Sequence, residues 1–91
     1  MPALMVGYDL HKGESYDSLI KYLKSFPGWW HGLDSTWFVN TDLSVVQLRD
    51  QLRWHIKKDD HLLVLDPHTG LWATHNLSDP LIKYLQTNLA A

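Results

Sequence analysis

The chain has 91 residues, of which 45% are hydrophobic and 20% charged, and its formal net charge at pH 7 is -2. A chain of this length and even composition folds as one domain, so residues 1–91 are predicted to form a single unit. The absence of cysteine excludes disulfide frameworks, zinc–thiolate sites and thiol nucleophiles, and the net negative charge requires any nucleic-acid binding to be local.

The first half of the chain predicts a strand, a helix and two further strands. Ala3–Leu10 is a nearly continuous apolar run, which is typical of a buried central strand. Ser15 can cap a helix whose apolar residues recur every three or four positions until Pro27-Gly28 ends it. Residues 29–40 are rich in aromatic and β-branched side chains and predict two strands with a tight break between them.

The second half predicts a helix, two strands and a last helix. Ser44 and Gln47 have the spacing of a capping box, and the apolar stripe that follows extends to Ile56. His61–Leu65 predicts a buried strand, and Leu71–Thr74 predicts a short edge strand after a turn. A third helix is predicted after Ser78-Asp79-Pro80.

This order of elements predicts an α+β fold of the ferredoxin-like type. It corresponds to a βαββαβ sandwich with an antiparallel sheet, followed by a C-terminal β/α extension. Two helices are expected on one face of the sheet, so the other face would lie in water or against a partner. No apolar run is long enough for a signal peptide or a membrane span, which predicts a cytoplasmic protein without membrane contact.

Asp9 and His11 are the first candidates for chemistry, because they follow the predicted central strand where the sheet meets solvent. The Asp9 carboxylate can bind a metal ion there, or it can hydrogen-bond the loop after the strand. One carboxylate is a poor Mg²⁺ site, but a symmetric dimer would bring two copies of Asp9 together. His11 is placed to act as a general base or to bind phosphate.

The remaining candidates are less distinctive. The other five histidines lack a metal-ligand spacing and are predicted to be surface or interface residues. The Ser35 hydroxyl at a strand start can donate to a phosphate or to a local turn. Arg49 and Arg53 lie near Trp54 on the second helix, where they can contact RNA or form a solvated face. The glycines match no phosphate-binding loop, so a nucleotide cofactor is not expected.

Two motifs carry a resemblance to known families. Tyr8-Asp9-Leu10 ends the first strand, and residues 34–39 (DSTWFV) lead into the second helix. This arrangement resembles the small CRISPR-associated adaptation endoribonucleases and toxins of the virulence-associated protein D type, and nearly the whole chain is similar to small SinR-family proteins. The resemblance implies a ferredoxin-like homodimer that holds Mg²⁺ or Mn²⁺ at Asp9 of each subunit and cleaves phosphodiesters, with Tyr8 and Ser35 in the same cleft.

Two hypotheses for the function follow. The first is a metal-dependent endoribonuclease that acts as a homodimer and, if toxin-like, pairs with an antitoxin protein. Its metal ligand is Asp9, its further catalytic residues are His11 and Ser35, and its RNA-binding residues are Tyr8, Arg49 and Arg53. The alternative is a non-catalytic dimeric interaction module. It is favoured by the net negative charge and by five tryptophans, few of which fit inside a thin core.

Overall fold

Nine elements follow one another along residues 2–11 and 16–88, which are the residues that the computed structural model describes. They are β1 (Ala3–Asp9), α1 (Asp17–Lys24), β2 (Gly28–Leu33), β3 (Thr36–Asn40), α2 (Val45–Leu52), a 3-10 turn (Arg53–His55), β4 (His61–Leu65), β5 (Trp72–His75) and α3 (Asp79–Asn88).

The five strands form one open antiparallel sheet in the order β2-β3-β1-β4-β5. The central strand is β1, as its continuous apolar run predicted. Its Val6 lies opposite Trp37 of β3 on one side and opposite Val64 of β4 on the other. An α+β domain with an antiparallel sheet is therefore confirmed.

One face of the sheet and the apolar faces of two helices make the core. Because side chains alternate along a strand, every second residue of the three central strands points to the same face. The fully or almost fully buried residues there and on the helices are Leu4, Val6, Leu19, Leu23, Trp37, Val39, Leu48, Leu52, Leu62 and Val64. Removing a side chain of this size from water stabilises the fold by roughly 1.5 to 3 kcal/mol.

The opposite face of the sheet carries an apolar row that crosses all five strands. The strand register places Trp30, Phe38, Met5, Leu65 and Trp72 side by side in that order. Trp30 is 50% exposed, and the other four are partly exposed. The rings of Trp30 and Phe38 meet edge to face with centroids 5.8 Å apart. We call these five residues the aromatic row.

The start of α2 is confirmed, but its predicted length is wrong. The Ser44 hydroxyl accepts the Gln47 amide at 3.1 Å, and the Gln47 side chain accepts the Ser44 amide at 2.9 Å. The helix ends at Leu52 and tightens into the 3-10 turn instead of running on to Ile56. Trp54, His55 and Ile56 have low helix propensity, and no packing partner buries Trp54, so the last predicted turn lacks support.

The other boundaries differ from their predictions by small amounts. The break between β2 and β3 falls at Asp34-Ser35, and β5 begins one residue later than predicted. The predicted Ser15 cap of α1 lies outside the described residues, and Tyr16 holds the cap position without a side-chain bond to the helix. Among the described residues, no helix has both the length and the apolar character that a membrane span requires.

Candidate metal centre at one end of the sheet

Acidic and imidazole side chains collect at one end of the sheet. Asp9 ends β1 directly opposite His61, the first residue of the antiparallel β4. Asp59 and Asp60 immediately precede β4, and His11 follows β1. The antiparallel pairing of β1 with β4 therefore brings together residues that are about fifty positions apart in sequence.

These side chains surround a small cavity. Its volume is about 170 Å³, and it is lined by Asp9, Leu10, His11, Asp59 and His61. The predicted site residues Asp9 and His11 thus lie in one cavity. Their roles in catalysis stay predictions, because the geometry alone does not test them.

The His11 ring bridges two carboxylates. Its Nδ1 lies 2.5 Å from Asp60 Oδ1, and its Nε2 lies 3.2 Å from Asp59 Oδ2. One ligand atom from each of the three residues falls within 4.8 Å of the other two. The described residues therefore contain a set of nitrogen and oxygen atoms close enough to hold a metal ion.

Asp60 is the buried member of this set and is already saturated with hydrogen bonds. Its side chain is 0% exposed. It accepts bonds from the Lys57 amide at 2.7 Å, the Tyr16 hydroxyl at 2.8 Å and the His11 amide at 3.2 Å, besides the His11 ring. Asp60 is consequently better suited to orient His11 than to bind a metal itself.

The hydrogen bonds also decide the protonation of Asp60. Burial alone would raise the pKa of this carboxyl, because it removes water from the charged form. The bonds from Lys57, His11 and Tyr16 outweigh that effect and hold the pKa of Asp60 below its ordinary value. Asp60 is therefore an anion at neutral pH and directs the Nδ1 proton of His11 toward itself.

The distance between His11 Nε2 and Asp59 Oδ2 fits two ligands of one metal ion. Ligand atoms that each lie about 2.0 to 2.2 Å from zinc or a similar ion, at tetrahedral or octahedral angles, stand roughly 2.9 to 3.4 Å apart. The observed separation is 3.2 Å. Asp59 is 66% exposed and His11 46% exposed, so an ion can reach both from solvent.

His61 is oriented in the way that metal-binding histidines commonly are. Its Nδ1 donates to the Asn76 carbonyl at 2.6 Å, so in the neutral ring Nε2 carries the lone pair that a metal ion requires. Asn76 adopts a left-handed conformation with φ of 58°, and its side-chain amide donates to the Asp59 carbonyl at 3.0 Å. One strained residue thus positions both His61 and the backbone of Asp59.

Tyr8 and Ser35 lie together but beside the cavity. The Tyr8 hydroxyl accepts the Trp37 indole N–H at 2.9 Å and donates to the Asp34 carbonyl at 3.2 Å, while the Tyr8 amide donates to the Ser35 carbonyl. Tyr8 packs against the core, on the face opposite to Asp9. Its side chain therefore holds the turn that carries Ser35, whose exposed hydroxyl stays at the same end of the sheet as Asp9.

Arg49 and Arg53 lie on α2 and the 3-10 turn, outside the cavity. Both Nε and a terminal nitrogen of Arg49 bond one Asp50 oxygen, at 3.1 and 2.9 Å. Arg53 approaches the same carboxylate at 3.9 Å and lines a separate groove beside Trp54. The structure does not bring these two arginines to the metal-ligating side chains.

Asp59, Asp60 and His61 are the site residues that sequence reasoning missed. Spacing along one segment does not identify these residues, because they face His11 and Asp9 across neighbouring strands. The available signal was the run Asp59-Asp60-His61, which leads into the fourth predicted strand. In the predicted order of elements, that strand pairs with the first one.

No family model, curated protein or solved structure matches the chain. The resemblance to endoribonuclease families accordingly stays a prediction that rests on the motifs around Asp9 and Ser35. The chemistry of the site has to be argued from its own residues.

Proposed function

We propose that the protein is a metal-dependent endoribonuclease whose metal ion is held by His11 and Asp59. The observation that carries this proposal is the 3.2 Å separation of His11 Nε2 and Asp59 Oδ2, in a cavity that Asp9 and His61 also line. Asp60 fixes the tautomer and direction of the His11 ring. Asp9 and His61 are the residues proposed to complete the ligand set.

The mixed donor set bears on the identity of the metal. Imidazole nitrogen together with carboxylate oxygen suits Mn²⁺ or Zn²⁺, whereas Mg²⁺ prefers oxygen ligands and retains several waters. We therefore expect tighter binding of Mn²⁺ and Zn²⁺ than of Mg²⁺, which the resemblance at Asp9 had suggested alongside Mn²⁺.

The side chains of the site would position a metal ion and a substrate phosphate relative to each other. A metal ion bound here would neutralise charge on a phosphate and lower the pKa of a bound water. Asp9, exposed at the end of a rigid strand, would hold that ion beside the phosphate as a further ligand. The exposed Ser35 hydroxyl at the neighbouring turn is proposed to donate to a phosphate oxygen.

We also infer a ferredoxin-like domain that works as a homodimer. The order β2-β3-β1-β4, with α1 between β1 and β2 and α2 between β3 and β4, supports the ferredoxin-like assignment, and β5 extends that sheet. The partly exposed aromatic row supports a dimer. The same row favours the second candidate function, a non-catalytic dimeric interaction module.

Metal titration tests the proposed site directly. Calorimetry with Mn²⁺, Zn²⁺ and Mg²⁺ should show binding to the wild type, and Asp59→Asn should weaken it at least tenfold because one charged ligand is lost. Asp42→Asn is the matched control, since Asp42 is an exposed carboxylate beyond the opposite end of β3. Equal binding by wild type and Asp59→Asn would place any metal elsewhere.

Cleavage of a labelled RNA tests the reaction. Asp9→Asn should abolish metal-dependent cleavage while circular dichroism and thermal unfolding stay those of the wild type, because Asp9 is exposed and ends its strand. Equal cleavage by this variant, or none by the wild type with any of the three metals, would reject the endoribonuclease and leave the interaction module.

A further inference from the structure

Trp54 is placed where a structural role does not account for it. It is 87% exposed, and no large hydrophobic side chain of the described residues is more exposed. It lies in the 3-10 turn after α2, and its ring is held away from the core that α2 covers. An indole left in water is typical of a binding surface.

Trp54 stands at an open groove of about 500 Å³ that is separate from the metal cavity. The side chains that join it there include Arg53, Ile56, Lys57, Lys58 and His75. The His75 Nε2 donates to the Lys58 carbonyl at 3.0 Å, which ties the far wall of the groove to β5. The groove is therefore built from two segments, residues 50–58 and β5, that the fold holds together.

The groove is positively charged in a chain whose net charge is -2. Arg53, Lys57 and Lys58 contribute three cations, against the single carboxylate of Asp50. That carboxylate is shared by Arg49, at 2.9 Å, and Arg53, at 3.9 Å, so the charges of Lys57 and Lys58 are not balanced by it. A surface that combines one exposed indole with two lysines and an arginine differs from a protein interface, where lysine is depleted.

Cations beside an exposed aromatic ring can bind a nucleic-acid strand, because its phosphates are anionic and its bases are flat. Base stacking on tryptophan is tolerant of sequence, and lysine and arginine pair with the phosphates on either side. A duplex offers no unstacked base to the ring. The chemistry of the groove consequently selects a single-stranded nucleic acid.

The groove and the metal cavity share one short loop. The Lys57 amide donates to Asp60 Oδ2 at 2.7 Å, and Asp59 is separated from Lys57 by one residue. A strand that binds at Lys57 and Lys58 has its backbone next to the carboxylates that precede β4.

We propose that this groove binds single-stranded nucleic acid, with one base stacked on Trp54 and the adjoining phosphates on Arg53, Lys57 and Lys58. If the protein is the endoribonuclease proposed above, the bound strand is RNA, and in this respect the inference rests on that function. The groove then holds the RNA, and a metal ion bound by His11 and Asp59 would act on a phosphodiester of the same strand.

Binding is measured by fluorescence anisotropy of a fluorescein-labelled oligouridylate in buffer with EDTA, so that no metal chemistry contributes. Trp54→Ala should weaken binding by roughly 5- to 150-fold, the loss expected for one stacked base, and Trp54→Phe should recover part of it. Trp29→Ala is the matched control, because it removes a tryptophan that is 45% exposed and lies outside both the groove and the aromatic row, and it should leave the affinity unchanged.

Salt dependence and strandedness sharpen the test. Lys58→Ala should reduce the slope of log affinity against log salt by about 0.7, the value for one phosphate contact on a single strand. The same oligonucleotide in a duplex should bind at least tenfold more weakly. Single-stranded DNA of matching sequence should bind within a few-fold of RNA, because neither stacking nor phosphate pairing uses the 2′-hydroxyl.

The outcomes separate this proposal from the proposed function. Unchanged affinity of Trp54→Ala, or no binding by the wild type at low salt, overturns the groove even if metal-dependent cleavage is observed. Trp54-dependent binding in EDTA without cleavage under any metal retains the groove and rejects the nuclease. If Trp54→Ala abolishes self-association and leaves oligonucleotide binding intact, the groove is a protein interface and the proposal is wrong.

Discussion

The Asp60 carboxylate connects three separate segments of the chain around the candidate metal centre. It accepts bonds from His11 after β1, from Tyr16 before α1 and from Lys57 in the loop before β4. Sequence alone could not identify it, because adjacent aspartates in a polar loop are typical of a solvated turn. Its 0% exposure depends on a packing of distant segments that no local pattern encodes.

Asp60→Asn is predicted to destabilise the protein at neutral pH by about 1 to 3 kcal/mol. An amide NH₂ cannot accept from the donors that surround one of the two oxygens, so at least one buried donor is left without a partner. Urea unfolding monitored by circular dichroism measures the free energy of unfolding of each variant. Asp59→Asn is the control, because Asp59 is 66% exposed and should change the stability little.

The same residue predicts an acid-dependent loss of stability. The pKa of Asp60 is lower in the folded protein than in the unfolded chain, where it is about 3.9. The ionised carboxylate therefore makes its full contribution to the free energy of unfolding above a pH of about 3.9, and that contribution is lost as the pH falls through the pKa of the folded state. Urea unfolding at a series of pH values below about 4 should show a shallower loss for Asp60→Asn than for the wild type. Parallel curves would mean that Asp60 does not carry the acid sensitivity.

At the scale of the elements, local signals predicted starts better than ends. The capping box at Ser44 and Gln47 fixes the start of α2 because its two bonds join residues three positions apart. The end at Leu52 depends on whether the next turn finds a surface to pack on, which is a tertiary property. Strand pairing is likewise non-local. Predicting that Asp9 pairs with His61 therefore requires the order of strands in the sheet, which no sequence motif contains.

Two glycines, on the two strands that flank β3, predict opposite effects of substitution by alanine. A Cβ added at Gly28 would lie inside contact distance of the Asn40 side-chain oxygen and 3.1 Å from its Cγ, whereas a Cβ at Gly7 would meet nothing within 4 Å. Gly28→Ala should cost about 1 kcal/mol, because the Asn40 side chain must shift to admit the added methyl group. Gly7→Ala should stabilise by about 0.5 to 1 kcal/mol, because it restricts the unfolded chain.

Thermal and urea unfolding of the two alanine variants measures this difference. Adding Asn40→Ala to Gly28→Ala should restore most of the loss, because the Asn40 Cβ would then lie at an ordinary 3.5 Å. A Gly28→Ala protein as stable as the wild type would show that Asn40 moves aside without cost, and the pairing of β2 with β3 is then looser than the register indicates.

At the scale of the whole molecule, the two most exposed tryptophans, Trp30 and Trp54, lie on surfaces of different character. The aromatic row places Trp30 beside Phe38 and three further apolar side chains on the sheet, whereas Trp54 lies beside cations. An apolar surface suits a copy of the same chain, and a cationic one suits a polyanion. The net charge of -2 conceals this division, because it averages over both surfaces.

The aromatic row is predicted to form the homodimer interface. A typical interface takes about 800 Å² from each partner, roughly one seventh of the 5845 Å² accessible surface. Sedimentation velocity should show a dimer for the wild type and for Trp54→Ala, and a shift toward monomer for Trp30→Ala, because a tryptophan buried at an interface commonly contributes 2 kcal/mol or more to binding. A monomeric wild type at all concentrations would exclude the dimer. If Trp30→Ala dimerises as tightly as the wild type, the dimer interface is not on this face of the sheet. Asp9 ends β1 on the same face, so that result would also exclude a dimer in which the two Asp9 side chains approach each other across this face.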